Sequence, residues 1–488
     1  MLMSIKEVVA GSANTTTPNR KSRAAARQAV VLVHGMGEQI PMDTIKGFVS
    51  TLSTTIESDG KVEPGEIWSK PDPRTGSLEL RRLTTRKSKK GGAFETGVRS
   101  DFYELYWADL TAGSTSSQLL GWIWYLLLRP WSRVPKPVRL AWLFLWFCSL
   151  LALTLFAIGF IPKEYWELAV PKWFPQSLAI GLAGILGVVA QQLGTKSFGR
   201  VVRYTRAEPD NIAARAAVRE RGLQLLRALH DRDDYDRVVV VGHSLGSILA
   251  YDLVSYFWAE REAIRSVAVG TDAFASLCEV HSAARFSEMA DVDGKEQRTR
   301  LRRAQAEFRR RLSTGEATSG EKWLISDLVT FGSPLTHAEF LLARDTADLF
   351  KRQADRELPT CPPIMEPLED WAVRPAVEAG LLPPGATTGS AMAFPSRMKK
   401  GSWTLHHGAV FAAVRWTNVH DRARLIFFGD LISGPLSRVF GGGIHDINLA
   451  TVDRQSWRFS HTRYWEMAQD AKRRAVFSAA VNILDEDG

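Results

Sequence analysis

Cysteine is scarce: Cys148, Cys278 and Cys361 are the three in 488 residues. They have no metal-ligand spacing and form no even set, which excludes a zinc-ribbon or disulfide-stapled architecture and points to a reducing compartment. No ligand cluster suggests a metal, and no cofactor is expected. The stretch from Met1 to Gln28 is rich in Ser, Thr, Ala and Arg and lacks an apolar segment. That excludes a secretory signal peptide, and 1–28 is expected to be disordered. No internal repeat is apparent. Nucleic-acid-binding motifs are also missing. The net charge of +9 therefore points to an anionic membrane surface, not to nucleic acid.

Charge is absent from one long run. Leu140 to Ile161 holds 22 uncharged residues, 13 of them Leu, Ile or Phe. At roughly −0.3 to −0.6 kcal/mol each, these sum to roughly −4 to −8 kcal/mol for insertion. A second run, about 177–194, carries Ala179, Ala183 and Gly187 at four-residue spacing, a small-residue face for helix packing. The expectation is a transmembrane helical hairpin with spans near 140–161 and 177–194, the second run either spanning or re-entrant, and an interfacial segment at 119–132. The loop between the spans holds Tyr165, Trp166 and Trp173. Arg129, Arg133, Lys136, Arg139, Lys196, Arg200, Arg203 and Arg206 lie on the outer flanks, and only Lys163 and Lys172 lie in the loop. Both flanks are thus expected on the cytoplasmic side, in an inner or cytoplasmic multi-pass membrane protein whose main domain faces the cytoplasm.

What is present centres on Val238-Val239-Val240-Val241-Gly242-His243-Ser244-Leu245-Gly246. Four β-branched residues predict a buried strand, and Ile248 to Val254 predicts a helix. Strand, tight turn and helix form the context in which a G-x-S-x-G turn lifts a serine hydroxyl to a helix N-terminus. Gly242 and Gly246 let strand and helix approach, with His243 between Gly242 and the serine. A second predicted strand, Ala29 to Val33, ends in His34-Gly35-Met36-Gly37, and Leu328 to Val329 leads into Thr330-Phe331-Gly332-Ser333-Pro334.

On these residues the chain resembles the α/β-hydrolase superfamily, its lipase and esterase members most of all, in patches over roughly residues 28–110 and 205–475. The resemblance implies an α/β fold with a mostly parallel sheet and helices on both faces, here interrupted by the hairpin. It implies Ser244 as nucleophile and N–H groups of Leu245 and of Met36 or Gly37 as an oxyanion hole. His34 and Gly35 then shape the oxyanion loop, and His243 has no proton-transfer role. The implied chain order is Ser, acid, His. For the acid, Gly429-Asp430-Leu431-Ile432-Ser433-Gly434-Pro435-Leu436 follows a predicted strand at 412–419 and resembles the acid-bearing segment of related lipases. Asp430 is favoured over Asp421, Asp446 and Asp453. For the base, Ser460-His461-Thr462-Arg463-Tyr464-Trp465 resembles a histidine-bearing segment. His461 is favoured over His445, and Tyr464 to Arg474 is expected to be a final helix. Glu104 and Asp109 are expected to be structural.

The expected organisation follows. Residues 29–115 open the hydrolase domain and 116–200 form the membrane insertion. Residues 201–340 continue the domain with a charged helical insertion at 260–320, whose arginines are expected to be solvated. A cap-like insertion occupies 341–405, and 406–480 carry acid and histidine. The basic run Arg86 to Lys90 is expected to be a solvated loop. The expected function is a membrane-anchored serine hydrolase of carboxylic esters, with lipid or acyl esters as substrate and the bilayer as partner through the hairpin. The alternatives are a non-catalytic scaffold, or a thioesterase or peptidase with the same triad.

Overall fold

In the computed structural model the described residues are 27–35, 40–56, 62–63, 65–77, 79–85, 99–111, 128, 130–131, 134, 139–159, 165, 178, 180–185, 209–232, 234–286, 294–315, 320–396, 401–421, 429–430, 432–452, 460–461, 463–465 and 471–481. The expectations for 1–26, Met36, Gly37, Arg86 to Lys90, most of 119–132, Asp453 and most of 160–208 concern residues outside this set.

Eight strands form one mixed sheet: β1 (Arg27–Val33), β2 (Ile67–Pro71), β3 (Arg81–Thr85), β4 (Arg99–Leu105), β5 (Arg237–His243), β6 (Ile325–Phe331), β7 (Arg415–His420) and β8 (His445–Asn448). Their order is β8-β7-β6-β5-β1-β4-β3-β2. Six neighbours from β8 to β4 run parallel, while β3 and β2 close the other edge antiparallel. The chain leaves β1 toward the β4 side and returns on the β5 side. That makes the carboxyl ends of β1 and β5 a topological switch point, where open α/β sheets place their sites.

Both faces are covered, and the strands read accordingly as apolar runs. Val31, Val33, Val238, Val240 and Leu328 face one layer, which holds α3 (Pro209–His230) and α4 (Leu245–Glu260). Val30, Leu32, Val239, Val241, Val329 and Phe331 face the other, with α1 (Asp43–Ser53) and α7 (Ala471–Val481). Helix α4 is buried nearly all round, from Leu245 to Trp258, as its lack of a polar face requires.

Several expectations change. The first strand begins at Arg27, inside the stretch expected to be disordered. The alternation from Asp101 to Trp107 reads as a half-buried strand, yet β4 is buried along almost its whole length, because strands pair on both its sides and helices cover both faces. The charged insertion supplies α5 (Asp272–Phe286) and α6 (Gly294–Ser313). Helix α6 is not simply solvated: Leu301, Gln305, Phe308 and Leu312 form a buried stripe. Burial pushes Arg302 down to about 10 despite the pull of Asp327. The final helix starts at Ala471, and Tyr464 and Trp465 lie in a turn before it.

The transmembrane hairpin is a correction. Among the described residues no helix is long and apolar enough to cross a membrane, so the expected spans near 140–161 and 177–194, the bilayer contact through them and the multi-pass placement do not stand. The lack of charge and a sum over Leu, Ile and Phe carried that expectation, and the sum left out the other residues of the run, Trp142, Trp146, Ser149 and Thr154 among them. The first run forms α2 (Arg139–Gly159), in which Trp142 and Trp146 continue a ladder of rings from Trp131. Indoles carry an N–H donor and do not count as hydrocarbon. Of the second run, 178 and 180–185 are described as helix, and the rest of it lies outside the described residues.

One ion pair ties β6 to β7. Asp327 accepts from Arg415 Nε at 2.9 Å and Nη2 at 3.0 Å, with exposures of 1% and 3%. Burial raises the Asp327 pKa, but Arg415 and Arg237 outweigh it and hold it at about 2. A depressed folded pKa stabilises the fold above the carboxyl's ordinary value and loses that contribution as pH falls through about 2. Asp327→Ala strands a buried guanidinium and lowers the unfolding free energy by about 3–5 kcal/mol. Urea melts at pH 7 check this, and the difference between variant and parent shrinks on acidification.

Candidate active site

The site is built where β1 and β5 end. The register sets Val33 beside Gly242 and His243 beside Phe331, so β1, β5 and β6 finish level. The chain then turns so sharply that Ser244 adopts φ 53° and ψ −128°. That is a left-handed φ, costly for any residue with a Cβ and held only when its surroundings over-determine it. Ser244 N–H donates to Phe331 O at 2.9 Å, and Ser247 N–H donates back to Ser244 O at 2.9 Å.

Two glycines make the turn possible by leaving room. A Cβ on Gly246 would sit 2.3 Å from the carbonyl oxygens of Val33 and His34, and one on Gly242 would sit 2.5 Å from Ser247 Cα. The head of α4 therefore lies directly on the end of β1. Gly35 passes against the serine, where a Cβ would lie 2.9 Å from Ser244 Cβ.

Ser244, His461 and Asp430 come together across more than 200 residues of chain. Ser244 Oγ lies 2.8 Å from His461 Nε2. His461 Nδ1 lies 3.0 Å from each carboxylate oxygen of Asp430. Asp430 Oδ1 also accepts from Ile432 N–H at 2.9 Å and Ser433 N–H at 3.2 Å, and Oδ2 accepts from Tyr464 OH at 2.8 Å. Burial pushes the Asp430 pKa up, but the bond and charge of His461, with the Ser433 and Tyr464 bonds, hold it at about 2. A carboxylate that stays ionised can fix the tautomer of His461, leaving Nε2 to accept a proton from the serine.

The other expected residues take supporting places. His243 Nε2–H donates to His461 O at 3.0 Å; burial, then the neighbouring His461, lowers its pKa to about 4, so it remains neutral. Trp107 N–H donates to His34 Nε2 at 3.2 Å. His34 therefore donates from Nδ1 to Gly35 O at 2.9 Å, and its ring stacks on Trp107 at 5.3 Å. Leu245 opens α4, where first-turn N–H groups have no intrahelical acceptor. Met36 and Gly37 lie outside the described residues.

The rival acids and bases are placed differently. Asp446 accepts from Asn418 Nδ2 at 2.7 Å, Leu436 N–H at 2.9 Å and Ser437 N–H at 2.9 Å, which makes it a loop brace. Asp421 is buried at the end of β7. His445 sits on β8, and burial followed by the Arg302 charge lowers its pKa to about 4. Glu104 accepts Met42 N–H at 2.7 Å, and burial raises its pKa to about 7. Asp109 pairs with Arg221 at 2.8 Å.

Three supporting side chains were not singled out from the sequence. Ser247 Oγ donates to Ser244 O at 2.6 Å and meets Ser333 Oγ at 2.7 Å, bracing the turn. Tyr464 meets Ser433 Oγ at 3.2 Å as well as Asp430. Ser333 and Tyr464 both lie inside segments that drew notice for other residues. Among the described residues no group of His, Cys, Asp and Glu is placed to hold a metal ion. No family model, no curated protein and no solved structure matches this chain.

The elbow contact makes a direct prediction. Gly246→Ala forces the new methyl into two backbone carbonyls that cannot yield, a loss of about 3 kcal/mol or more. Circular dichroism melts check it; Ser247→Ala, which removes only a hydroxyl, costs about 1 kcal/mol.

Proposed function

We propose that the chain is a serine hydrolase of the α/β-hydrolase type, cleaving carboxylic esters through an acyl-enzyme. The observation that carries this is the unbroken path from Ser244 Oγ to His461 at 2.8 Å and on to Asp430 at 3.0 Å, starting from a strained serine at a helix head. A serine hydroxyl is a weak nucleophile without a base, and the base needs an orienting acid.

His461 Nε2 takes the hydroxyl proton as Ser244 Oγ bonds to the carbonyl carbon. The oxyanion that forms is stabilised by the Leu245 N–H and the N-terminus of α4; the family resemblance alone adds Met36 or Gly37 as a further donor. The imidazolium then gives its proton to the departing alkoxide as the tetrahedral intermediate collapses. Water, deprotonated by His461, attacks the acyl-enzyme, and the proton returns to Ser244 as the acid leaves. Asp430 remains ionised throughout and compensates the imidazolium charge. Every proton is accounted for within the three side chains, the ester and water. Lipid acyl esters rest on the family resemblance alone.

The test is a fluorophosphonate probe with a panel of esters, thioesters and peptides. Ser244 is the labelled residue, esters turn over fastest, and Ser244→Ala removes both labelling and turnover. Asp430→Asn keeps the serine but lowers kcat by roughly 10³- to 10⁴-fold. Labelling that persists in Ser244→Ala rejects the nucleophile. A protein that neither labels nor turns over any ester favours the scaffold.

A further inference from the structure

Building on the relay proposed above, we propose that Tyr464 is a positioning residue whose phenol fixes the Asp430 carboxylate and thereby sets the basicity of His461. The carboxylate is held on both oxygens. Two backbone N–H groups, of Ile432 and Ser433, take Oδ1 at 2.9 and 3.2 Å. Oδ2 accepts from the Tyr464 hydroxyl at 2.8 Å and faces His461 Nδ1 at 3.0 Å. Its proton is committed to the carboxylate, so at the 3.2 Å contact Ser433 Oγ is the donor and the phenol oxygen the acceptor. A chain of donors thus runs Ser433, Tyr464, Asp430, in line with His461 and Ser244.

The phenol has little freedom to do anything else. Tyr464 is fully buried, with ring centroids 6.3 Å from Phe331 and 5.8 Å from His243. Its Cε2 lies where a Cβ on Gly332 would come within 2.7 Å. Phenylalanine would fill the same space, and a buried hydroxyl is costly unless it is bonded. Here both of its bonds lie within the acid's surroundings. Burial, then the Asp430 charge, push its pKa well above the ordinary value, so it remains a donor across the working pH range.

Removing the donor leaves the Oδ2 charge less compensated. The carboxylate becomes more basic, stabilises the imidazolium more strongly and raises the pH at which His461 titrates. It also frees the carboxylate to rotate away from Nδ1. Among the described residues the other titratable groups around the pair are His243 on β5, and His420 and Asp421 at the end of β7; none of them is replaced in Tyr464→Phe.

The experiment uses the full chain with isotope-labelled histidine, following the His461 ring by NMR through a pH titration, with Tyr464→Phe beside the parent. The variant's midpoint moves to higher pH. A midpoint that is unchanged or lower overturns the proposal, and this readout needs no turnover. In the ester assay Tyr464→Phe lowers kcat by about 10-fold with KM unchanged, the loss expected for one bond to a charged group. In an Asp430→Asn background the same substitution changes kcat by less than about twofold. An equal loss in both backgrounds means a merely structural role and overturns it. If Tyr464→Phe does not fold, Ser433→Ala moves the same titration in the same direction, and no movement overturns the proposal. Activity that survives Ser244→Ala rejects the relay reading instead, and the titration still judges Tyr464.

Discussion

The contact between the head of α4 and the end of β1 governs the rest of the structure. Gly246 lies so close to the Val33 and His34 carbonyls that no side chain fits between. That closeness forces Ser244 into a left-handed φ of 53°, and strain of this kind costs of order 1–3 kcal/mol. The parallel sheet supplies the compensation, because β1 and β5 are locked in register and buried on both faces. A hydroxyl held this way has little orientation to lose before a reaction, which is where positional catalysis draws its advantage.

A second layer of polar contacts keeps the partners of that hydroxyl in place. His461 is gripped at its backbone by His243 and at its ring by Asp430. Asp430 is gripped in turn by two backbone N–H groups and a phenol. The loop carrying it is braced by Asp446, which takes N–H groups of Leu436 and Ser437 and the amide of Asn418 on β7. The bonds to Asp430 from His461, Ser433 and Tyr464 are buried, where hydrogen bonds are stronger and a missing one is most costly. The arrangement therefore stands or falls as a unit.

Much of this was legible in the residues. Runs such as Val238 to Val241 announce a strand covered on both faces, and the glycines flanking His243-Ser244-Leu245 announce a turn under steric pressure. The positions of Asp430 and His461 were readable because Gly429 to Leu436 resembles the acid-bearing segment of related lipases, and Ser460 to Trp465 a histidine-bearing one. Other features depend on partners that local pattern does not name. Strand β4 alternates in sequence yet is buried along almost all of its length, because strands flank it on both sides. Helix α6 is crowded with arginine, but Leu301, Phe308 and Leu312 recur at helical spacing and decide its packing. The long uncharged run misled because a sum over its Leu, Ile and Phe leaves out the tryptophans and hydroxyl residues between them. Tyr464 was quoted only as part of a segment, since its role arises from a loop more than thirty residues away.

The central claim is that Ser244 becomes covalently acylated. Rapid acid quench during turnover of an activated ester, followed by peptide mass mapping, measures that directly. The account predicts the acyl mass on the peptide holding Ser244, and none there when His461 is replaced by alanine. Steady ester turnover with Ser244 unmodified at every quench time, or the acyl group on another residue, contradicts it.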